Sequence, residues 1–339
     1  MSKIDESKLR NMLAARRRYS NLGQEDFSRS WERRTNRRAS EVLLKSFLAK
    51  AGLDADVLNQ LMADNKHEQH EMRRFMDKQK AEAAKYLPSR YDTYRRGIDN
   101  RKNALGYLAT IPAPFVSWFA TLDKPFIIYE YPHFKYLGET HIESMNSWLK
   151  FYIDSSSAFI NSDSTEFIFF FVWTNESPYA AVVNVSSSVA LSGYCEESTV
   201  GGFFSGNSSF LDISAELTLW EWWEDPPQQI LAGNPSQVLD IDVQGGGIFG
   251  QHGKSEKQNF DLNSYDFSYN NMFFIPGSST AVFQVSLNVR YTVDDSSSDG
   301  NVTADFSTDP NYFVLCPSVQ LEVLTPPPGA SALAPSTPS

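Results

Sequence analysis

Cysteine and long hydrophobic runs are both scarce in this chain. Its two cysteines, Cys195 and Cys316, are too few for a disulfide framework or a cysteine-rich zinc site. A single bridge between them remains open, but two buried free thiols are favoured because the N-terminus lacks the apolar core of a secretory signal. The longest apolar run, FIFFFVW, has the length of a strand, whereas a membrane helix needs about 20 residues. We therefore expect neither a membrane span nor a disulfide-rich domain.

Proline and aromatic residues are scarce in the first third of the chain, and this part carries no net negative charge. Only Pro88 of 17 prolines and 8 of the 46 aromatic residues precede residue 106. Residues 1–105 hold 24 basic and 15 acidic side chains (net +9), whereas residues 106–339 hold 6 basic and 26 acidic side chains (net −20). The formal charge of −11 thus conceals two compositional classes. The hydrophobic period also changes near residue 105, so we predict an α+β chain in two segregated parts.

The first part is predicted to be a basic arm followed by a helical segment. Residues 1–39 are polar and rich in arginine, and residues 40–104 carry apolar side chains at helical spacing. Ser40 and Gly52 suit the two ends of a first helix, and Pro88 suits the end of a second one that starts near Asp54. The apolar stripe of the second helix is too narrow to bury alone. It needs the sandwich, the other helix or a second copy as a partner.

The second part, residues 105–324, is predicted to be an antiparallel β-sandwich of the jelly-roll type. Apolar and polar residues alternate over 283–291, 211–219 and 183–191, which is typical of strands with one dry face. The segment 167–173 is apolar on both faces and is predicted to be a central strand that is covered on both sides. Residues 325–339 are rich in proline and serine and are predicted to be disordered.

Arginines clustered in RRRYSN and ERRTNRR are the strongest local signal. Guanidinium groups pair bidentately with phosphates and carboxylates, so the cluster predicts binding to an anionic partner. That partner is the acidic half of this chain or of a second copy, another protein, or a nucleic acid or anionic lipid held by charge neutralisation. The predicted anion-binding residues are Arg16, Arg17, Arg18, Arg33, Arg34, Arg37 and Arg38.

Three tryptophans and two glutamates end one of the alternating strands. Exposed indole rings beside carboxylates suit a sugar, because the rings stack on its C–H face while the acids bind its hydroxyls. Packing against the core or a helix is the alternative, and glycoside hydrolysis would also require two carboxylates across a cleft. The candidate carbohydrate-binding residues are Trp220, Glu221, Trp222, Trp223 and Glu224.

No motif in the sequence predicts catalysis, a cofactor or a metal site. His67 and His70 share a helix face, but their spacing is not that of a zinc protease, and a solvated helix surface is favoured. The sequence therefore predicts a non-enzymatic structural or assembly protein, cytoplasmic or part of an assembled particle. Its basic helical arm would anchor to an acidic surface while its sandwich is displayed or packs in the assembly. A carbohydrate-binding module and a capsid-like, nucleic-acid-binding particle protein are the alternatives.

Overall fold

The computed structural model describes residues 7–9, 87–110, 116–131, 137–143, 147–157, 161–199, 208–231, 236–244, 254–294 and 300–326. These residues form a β-sandwich with one long helix, α1 (Leu87–Thr110). The fourteen strands of the described part are β1 (Val116–Leu122), β2 (Ile127–Tyr131), β3 (Leu137–Glu143), β4 (Trp148–Ser157), β5 (Asn161–Thr174), β6 (Ala181–Thr199), β7 (Ser208–Glu221), β8 (Gln228–Leu231), β9 (Ser236–Gln244), β10 (Lys254–Ile275), β11 (Thr280–Asp294), β12 (Gly300–Asp305), β13 (Phe313–Leu315) and β14 (Val319–Thr325).

The larger sheet, sheet A, is organised around the 19-residue strand β6. One edge of β6 pairs with β10 along its length, and the other edge pairs with β14, β13 and β12 in succession. Strand β1 extends the sheet beyond β14, and β4 and β3 extend it beyond β12 and β13. Sheet A therefore forks along β6 into two branches.

The smaller sheet, sheet B, has the order β2-β5-β11-β7-β8, and β9 pairs with the first part of β7. Its inner face and that of sheet A enclose one large core. Aromatic rings fill the middle of this core: Phe151 stacks on Phe167 with centroids 4.6 Å apart, and Phe306 lies 4.9 Å from Phe151 and 5.7 Å from Phe260. The strand pairings of the described residues are antiparallel in both sheets, so the predicted antiparallel β-sandwich is confirmed.

Strand β5 is buried on both faces, as its continuous apolar run predicts. Residues 167–171 are inaccessible to solvent, and the strand lies between β2 and β11. Its outward residues Ile168 and Phe170 form a second cluster with Trp220, Val282 and Leu9. Leu9 belongs to the short helical stretch 7–9 and is completely buried. This short stretch thus packs on the outer face of sheet B.

Helix α1 packs on the outer face of sheet A, at the start of β6 and the end of β10. Ala104 and Tyr107 contact Val182, and the ring of Tyr107 meets Phe274 edge-on at 5.5 Å. Pro88 is the second residue of α1, where its missing N–H costs nothing, so the expectation that it ends a helix is wrong. The boundary expected at residue 105 falls inside this helix.

Some sequence expectations lie outside the described residues, and some strands were not foreseen. The helices expected over 40–51 and from Asp54 and most of the expected tail fall outside the described ranges. The hydrophobic pattern of the sequence does not indicate β3, β8 and β12. Strand β8 has four residues, and β3 and β12 are largely polar, so their hydrophobic patterns are too short or too weak to identify a strand.

Both cysteines are free and buried. Burial raises the pKa of the Cys316 thiol to about 12, although a hydrogen bond with Ser187 opposes the shift. Burial also raises the pKa of Cys195, and the nearby carboxylate of Glu197 adds to this effect. Separately, the described helices include no segment with the length and apolar character needed to cross a bilayer.

Gly193 provides a test of the fork in sheet A. A Cβ atom at this position would overlap the carbonyl oxygen of Asp305 and lie 2.8 Å from the ring of Phe306. We expect Gly193→Ala to lower the free energy of unfolding by about 2–3 kcal/mol, as measured by urea denaturation.

The matched control is Gly106→Ala on α1, where no atom lies within 4 Å of the added methyl group. This change should raise stability by roughly 0.5–1 kcal/mol, because alanine favours the helix. Equal stability of the two variants would contradict the close packing at Gly193.

Candidate functional site

The predicted tryptophan–glutamate segment forms the end of β7 and the turn that leads to β8. Trp220 and Glu221 are the last residues of the strand, and Trp222 begins the turn. The N–H of Glu224 donates a hydrogen bond of 3.1 Å to the carbonyl of Glu221, which closes the turn. The five candidate residues therefore occupy one corner of sheet B, but their side chains have different surroundings.

Trp220 lies on the outer face of sheet B and exposes 5% of its surface. Its indole N–H donates a hydrogen bond of 2.6 Å to the side-chain carbonyl of Gln284, which itself donates to the hydroxyl of Ser286 at 2.7 Å. The ring packs with Phe170 and Val282. Because Trp220 is buried, Trp222 and Trp223 are the tryptophans of this segment that a dissolved ligand can reach.

Trp222 and Trp223 are both half-buried, and they pack in different places. Trp222 lies against the outer cluster of sheet B, with the ammonium of Lys8 4.9 Å from its ring centroid, a cation–π distance. Trp223 packs against the main core. Glu224 is exposed beside them. This turn thus offers two partly accessible rings and one solvated carboxylate.

Glu221 is tied to helix α1 through Asn100. The side-chain amide of Asn100 donates hydrogen bonds of 3.1 Å to Glu221 Oε1 and to the carbonyl of Phe274, and its oxygen accepts from the N–H of Phe274 at 2.9 Å. Asn100 is itself 6% exposed. One buried amide therefore joins α1 to strand β10 of sheet A and to the end of β7 in sheet B.

Burial raises the pKa of Glu221 above its ordinary value. The hydrogen bond from Asn100 opposes this shift, the negative charge of Glu224 adds to it, and the positive charge of Arg96 reduces it. Because the folded chain holds the proton more tightly than the unfolded chain, the resulting stabilisation is complete at low pH. It is lost as the pH rises through the folded pKa.

We expect Glu221→Gln to be more stable than the parent chain near neutral pH and to match it in acid. The glutamine stays neutral and its carbonyl still accepts from Asn100, so only the cost of burying a charge is removed. Urea denaturation of both chains at two pH values measures the difference. Glu256→Gln serves as the control, because Glu256 is exposed at the start of β10, away from Glu221. A Glu221→Gln variant that is less stable than the parent at neutral pH would show that the charged form is the favoured one.

A second group of aromatic and acidic side chains lies on the outer face of sheet A, and sequence reasoning missed it. Strand β12 brings β4 and β6 together here: Asp305 pairs with both Tyr152 and Tyr194, and Thr303 pairs with both Asp154 and Glu196. Alternate residues of a strand share a face, so the two tyrosines and two carboxylates form adjacent rows. With Tyr312, whose ring meets Tyr194 at 6.2 Å, we call this group the tyrosine–carboxylate face.

The tyrosine–carboxylate face is accessible and already holds one cation. Tyr152, Tyr194, Glu196 and Tyr312 are half-buried, and Asp154 is exposed. Lys257 of β10 lies with its ammonium 3.7 Å from the ring centroid of Tyr194 and 3.6 Å from a carboxylate oxygen of Glu196. These are the contacts by which aromatic rings and acids bind ammonium or guanidinium groups.

Burial and neighbouring carboxylates raise the pKa of both tyrosines of this face. Burial raises the pKa of Tyr152, and the carboxylate of Asp154, which accepts its hydroxyl hydrogen bond at 3.3 Å, raises it further. Burial also raises the pKa of Tyr194, with Asp305 and Glu196 adding to the effect. Both phenols therefore stay protonated at neutral pH, and the negative charge of the face resides on the carboxylates.

The sequence of β6 contains a sign of this face, but the alternation of apolar and polar residues does not identify it. The alternation in β6 continues beyond residue 191, with Tyr194 and Glu196 in the wet positions. Aromatic residues there are unusual for a solvated face. Their partner Tyr152 comes from β4, more than 40 positions earlier, and the unforeseen strand β12 is what connects them.

The predicted anion-binding arginines, from Arg16 to Arg38, lie outside the described residues, as do His67 and His70. Within the ranges that the structure describes, no group of three His, Cys, Asp or Glu side chains is arranged to hold a metal ion.

No protein-family model matches this chain, and neither does any curated protein. Solved structures that resemble it include TmCBM61 in complex with beta-1,4-galactotriose, at 11% identity and a TM-score of 0.14, over 54% of this chain and 91% of that one. Another is the infectious bursal disease virus Gt strain, at 11% identity and a TM-score of 0.12, over 53% of this chain and 43% of that one. TM-scores this low support no conclusion about function.

Proposed function

We propose that this chain is a non-enzymatic structural subunit whose sandwich packs in an assembly. The strand order supports a jelly-roll form of the sandwich, because successive strands alternate between sheets: β4 to β7 lie in A, B, A and B, and β10 to β12 lie in A, B and A. Jelly rolls are common in particle-forming proteins, which is an argument by analogy about fold. The argument for association comes from strand β1.

The observation that carries the proposal is the apolar edge formed by β1. This strand pairs with β14 on one side, and none of the described strands pairs with its other side. Phe119 exposes 77% of its surface and Trp118 exposes 42%. Natural proteins protect sheet edges with charges, prolines or bulges, so an exposed aromatic edge marks a surface that a partner covers. A second copy of the chain is the simplest such partner.

Removing the ring of Phe119 tests this proposal. The parent chain should associate at micromolar concentration, and Phe119→Ala should weaken association at least about tenfold, because large aromatic side chains dominate interface energies. Light scattering after size-exclusion chromatography measures the mass of each form.

The control is Leu262→Ala on β10, another exposed apolar residue that lies away from β1 and exposes 55% of its surface. It should leave association unchanged. A parent chain that is strictly monomeric in both low and high salt would refute the assembly function.

The basic N-terminal part would anchor to an acidic surface within this assembly. Its charge of +9 against −20 for the rest of the chain supports attraction between the two parts, in one chain or between copies. The arginine-rich arm is proposed to provide further contacts, to a protein or, in a capsid-like particle, to nucleic acid. The burial of Leu9 on sheet B favours an arm whose first residues are fixed on the sandwich.

Carbohydrate binding is a second candidate function, favoured by the turn after β7. Trp222 and Trp223 keep part of their rings accessible beside the exposed carboxylate of Glu224. A sugar would stack on an indole ring while its hydroxyls donate to the acid. Binding at this corner of sheet B would be compatible with an assembly that uses β1.

Loss of glycan binding in Trp222→Ala is the outcome that this second function requires. The full chain would be applied to a glycan array, and the variant should lose at least about tenfold in affinity because the stacking surface is removed. Trp118→Ala, which removes another half-exposed indole from β1, is the control and should bind as the parent does. If the parent chain binds no glycan, the second function is wrong and the tryptophans of this turn serve only in packing.

A further inference from the structure

Helix α1 has an exposed stripe that combines cations with apolar side chains. Its buried face is formed by Asn100, Ala104 and Tyr107, and the opposite side of the helix is exposed. Ile98 and Leu105 expose 42% and 50% of their surfaces there. The helix stripe, as we call this group, consists of Arg95, Ile98, Arg101, Lys102 and Leu105. Their spacing of three, four and seven residues places them along one side of the helix.

The chemistry of the helix stripe matches that of the tyrosine–carboxylate face. The rings of Tyr152 and Tyr194 offer flat surfaces that suit Ile98 and Leu105, and their faces also attract guanidinium groups. Asp154 and Glu196 offer carboxylates that suit Arg101 and Lys102. The contact of Lys257 with Tyr194 and Glu196 is an example, within this chain, of the same pairing.

The helix stripe cannot reach the tyrosine–carboxylate face of its own chain. Helix α1 contacts β6 at Val182, whereas the face lies at Tyr194 and Glu196 of the same strand. Twelve residues of strand separate Val182 from Tyr194, which corresponds to about 40 Å. Asn100, nearer the N-terminal end of the helix, hydrogen-bonds to β10 and to β7 of sheet B. From its contact with Val182, the helix therefore runs away from β6 towards sheet B.

We propose that the helix stripe of one copy binds the tyrosine–carboxylate face of a second copy. The proposal rests on the assembly function above and names one of its contacts. The two surfaces are different and both are present on every copy, so the contact is head-to-tail. Repetition of such a contact produces a closed ring or an extending filament, depending on the rotation between copies. The exposed β1 edge lies on another strand and would provide a separate contact.

Charge reversal on each surface tests this proposal. One variant carries Asp154→Lys with Glu196→Lys, and the other carries Arg101→Glu with Lys102→Glu. Each variant alone presents like charges at the contact and should associate at least about tenfold more weakly than the parent chain. Thermal denaturation of each variant checks that it folds as the parent does, since exposed ion pairs such as Lys102 with Asp99 contribute little to stability.

Mixing the two variants is the decisive measurement. In an equimolar mixture, each reversed face meets a complementary surface on the other variant, so association should return to within about threefold of the parent value. Association of the parent should also weaken as salt is raised, since the screening length falls from about 10 Å at 0.1 M to 3 Å at 1 M. Analytical ultracentrifugation measures all of these mixtures.

The control variant carries Glu256→Lys and is compared with Glu196→Lys alone. Glu256 is exposed on β10, and the register of β10 with β6 directs it to the side of the sheet opposite to Lys257. This control makes the same change in net charge as Glu196→Lys but leaves the proposed contact intact. It should associate as the parent chain does, which separates a local contact from a general effect of net charge.

Each outcome of these experiments is informative. Normal association of both reversed variants, or a mixture that does not recover, would overturn the proposed contact while leaving the assembly function in place. Loss of association in the face variant alone would mean that another cationic segment, such as the arginine-rich arm, occupies the face, and the helix assignment would be wrong. A parent chain that never associates would refute both the assembly function and this contact.

Discussion

The need to pair the backbone of β6 along both edges shapes the rest of the sandwich. A buried strand of 19 residues exposes many N–H and C=O groups, and each of them must find a hydrogen bond. Strand β10 satisfies one edge, but no single described strand satisfies the other, and β14, β13 and β12 share it. This division creates the fork of sheet A, and Gly193 lies where β12 and β13 meet along the strand.

The fork also determines which surfaces are available. At one end of β6, the outer face is covered by α1 through Ala104 and Tyr107. At the other end, β12 is inserted between β4 and β6 and aligns the tyrosines and carboxylates of both strands. A basic helix and an acidic aromatic face therefore occupy opposite ends of one strand. Within the described residues, the basic helix is thus separated in space from the acidic face.

Much of the sandwich could be predicted because its strands have a regular hydrophobic period. The run over 167–173 indicated a strand covered on both faces, and β5 is such a strand. The pairing of distant strands could not be predicted, because hydrophobic period says which face is dry but not which strand lies alongside. The tyrosine–carboxylate face depends on a pairing of this kind. For the same reason, the sequence does not single out Asn100, whose amide joins both sheets.

The reactivity of the two buried cysteines reports how often the sandwich opens. Thiol reagents react with the thiolate, and a pKa of about 12 leaves almost none of it on Cys316 at neutral pH. Cys195 is shielded in the same way, in the second half of β6 with its side chain in the main core. Any alkylation of the native chain must therefore wait until a sheet separates, and its rate is a measure of how often the two layers come apart.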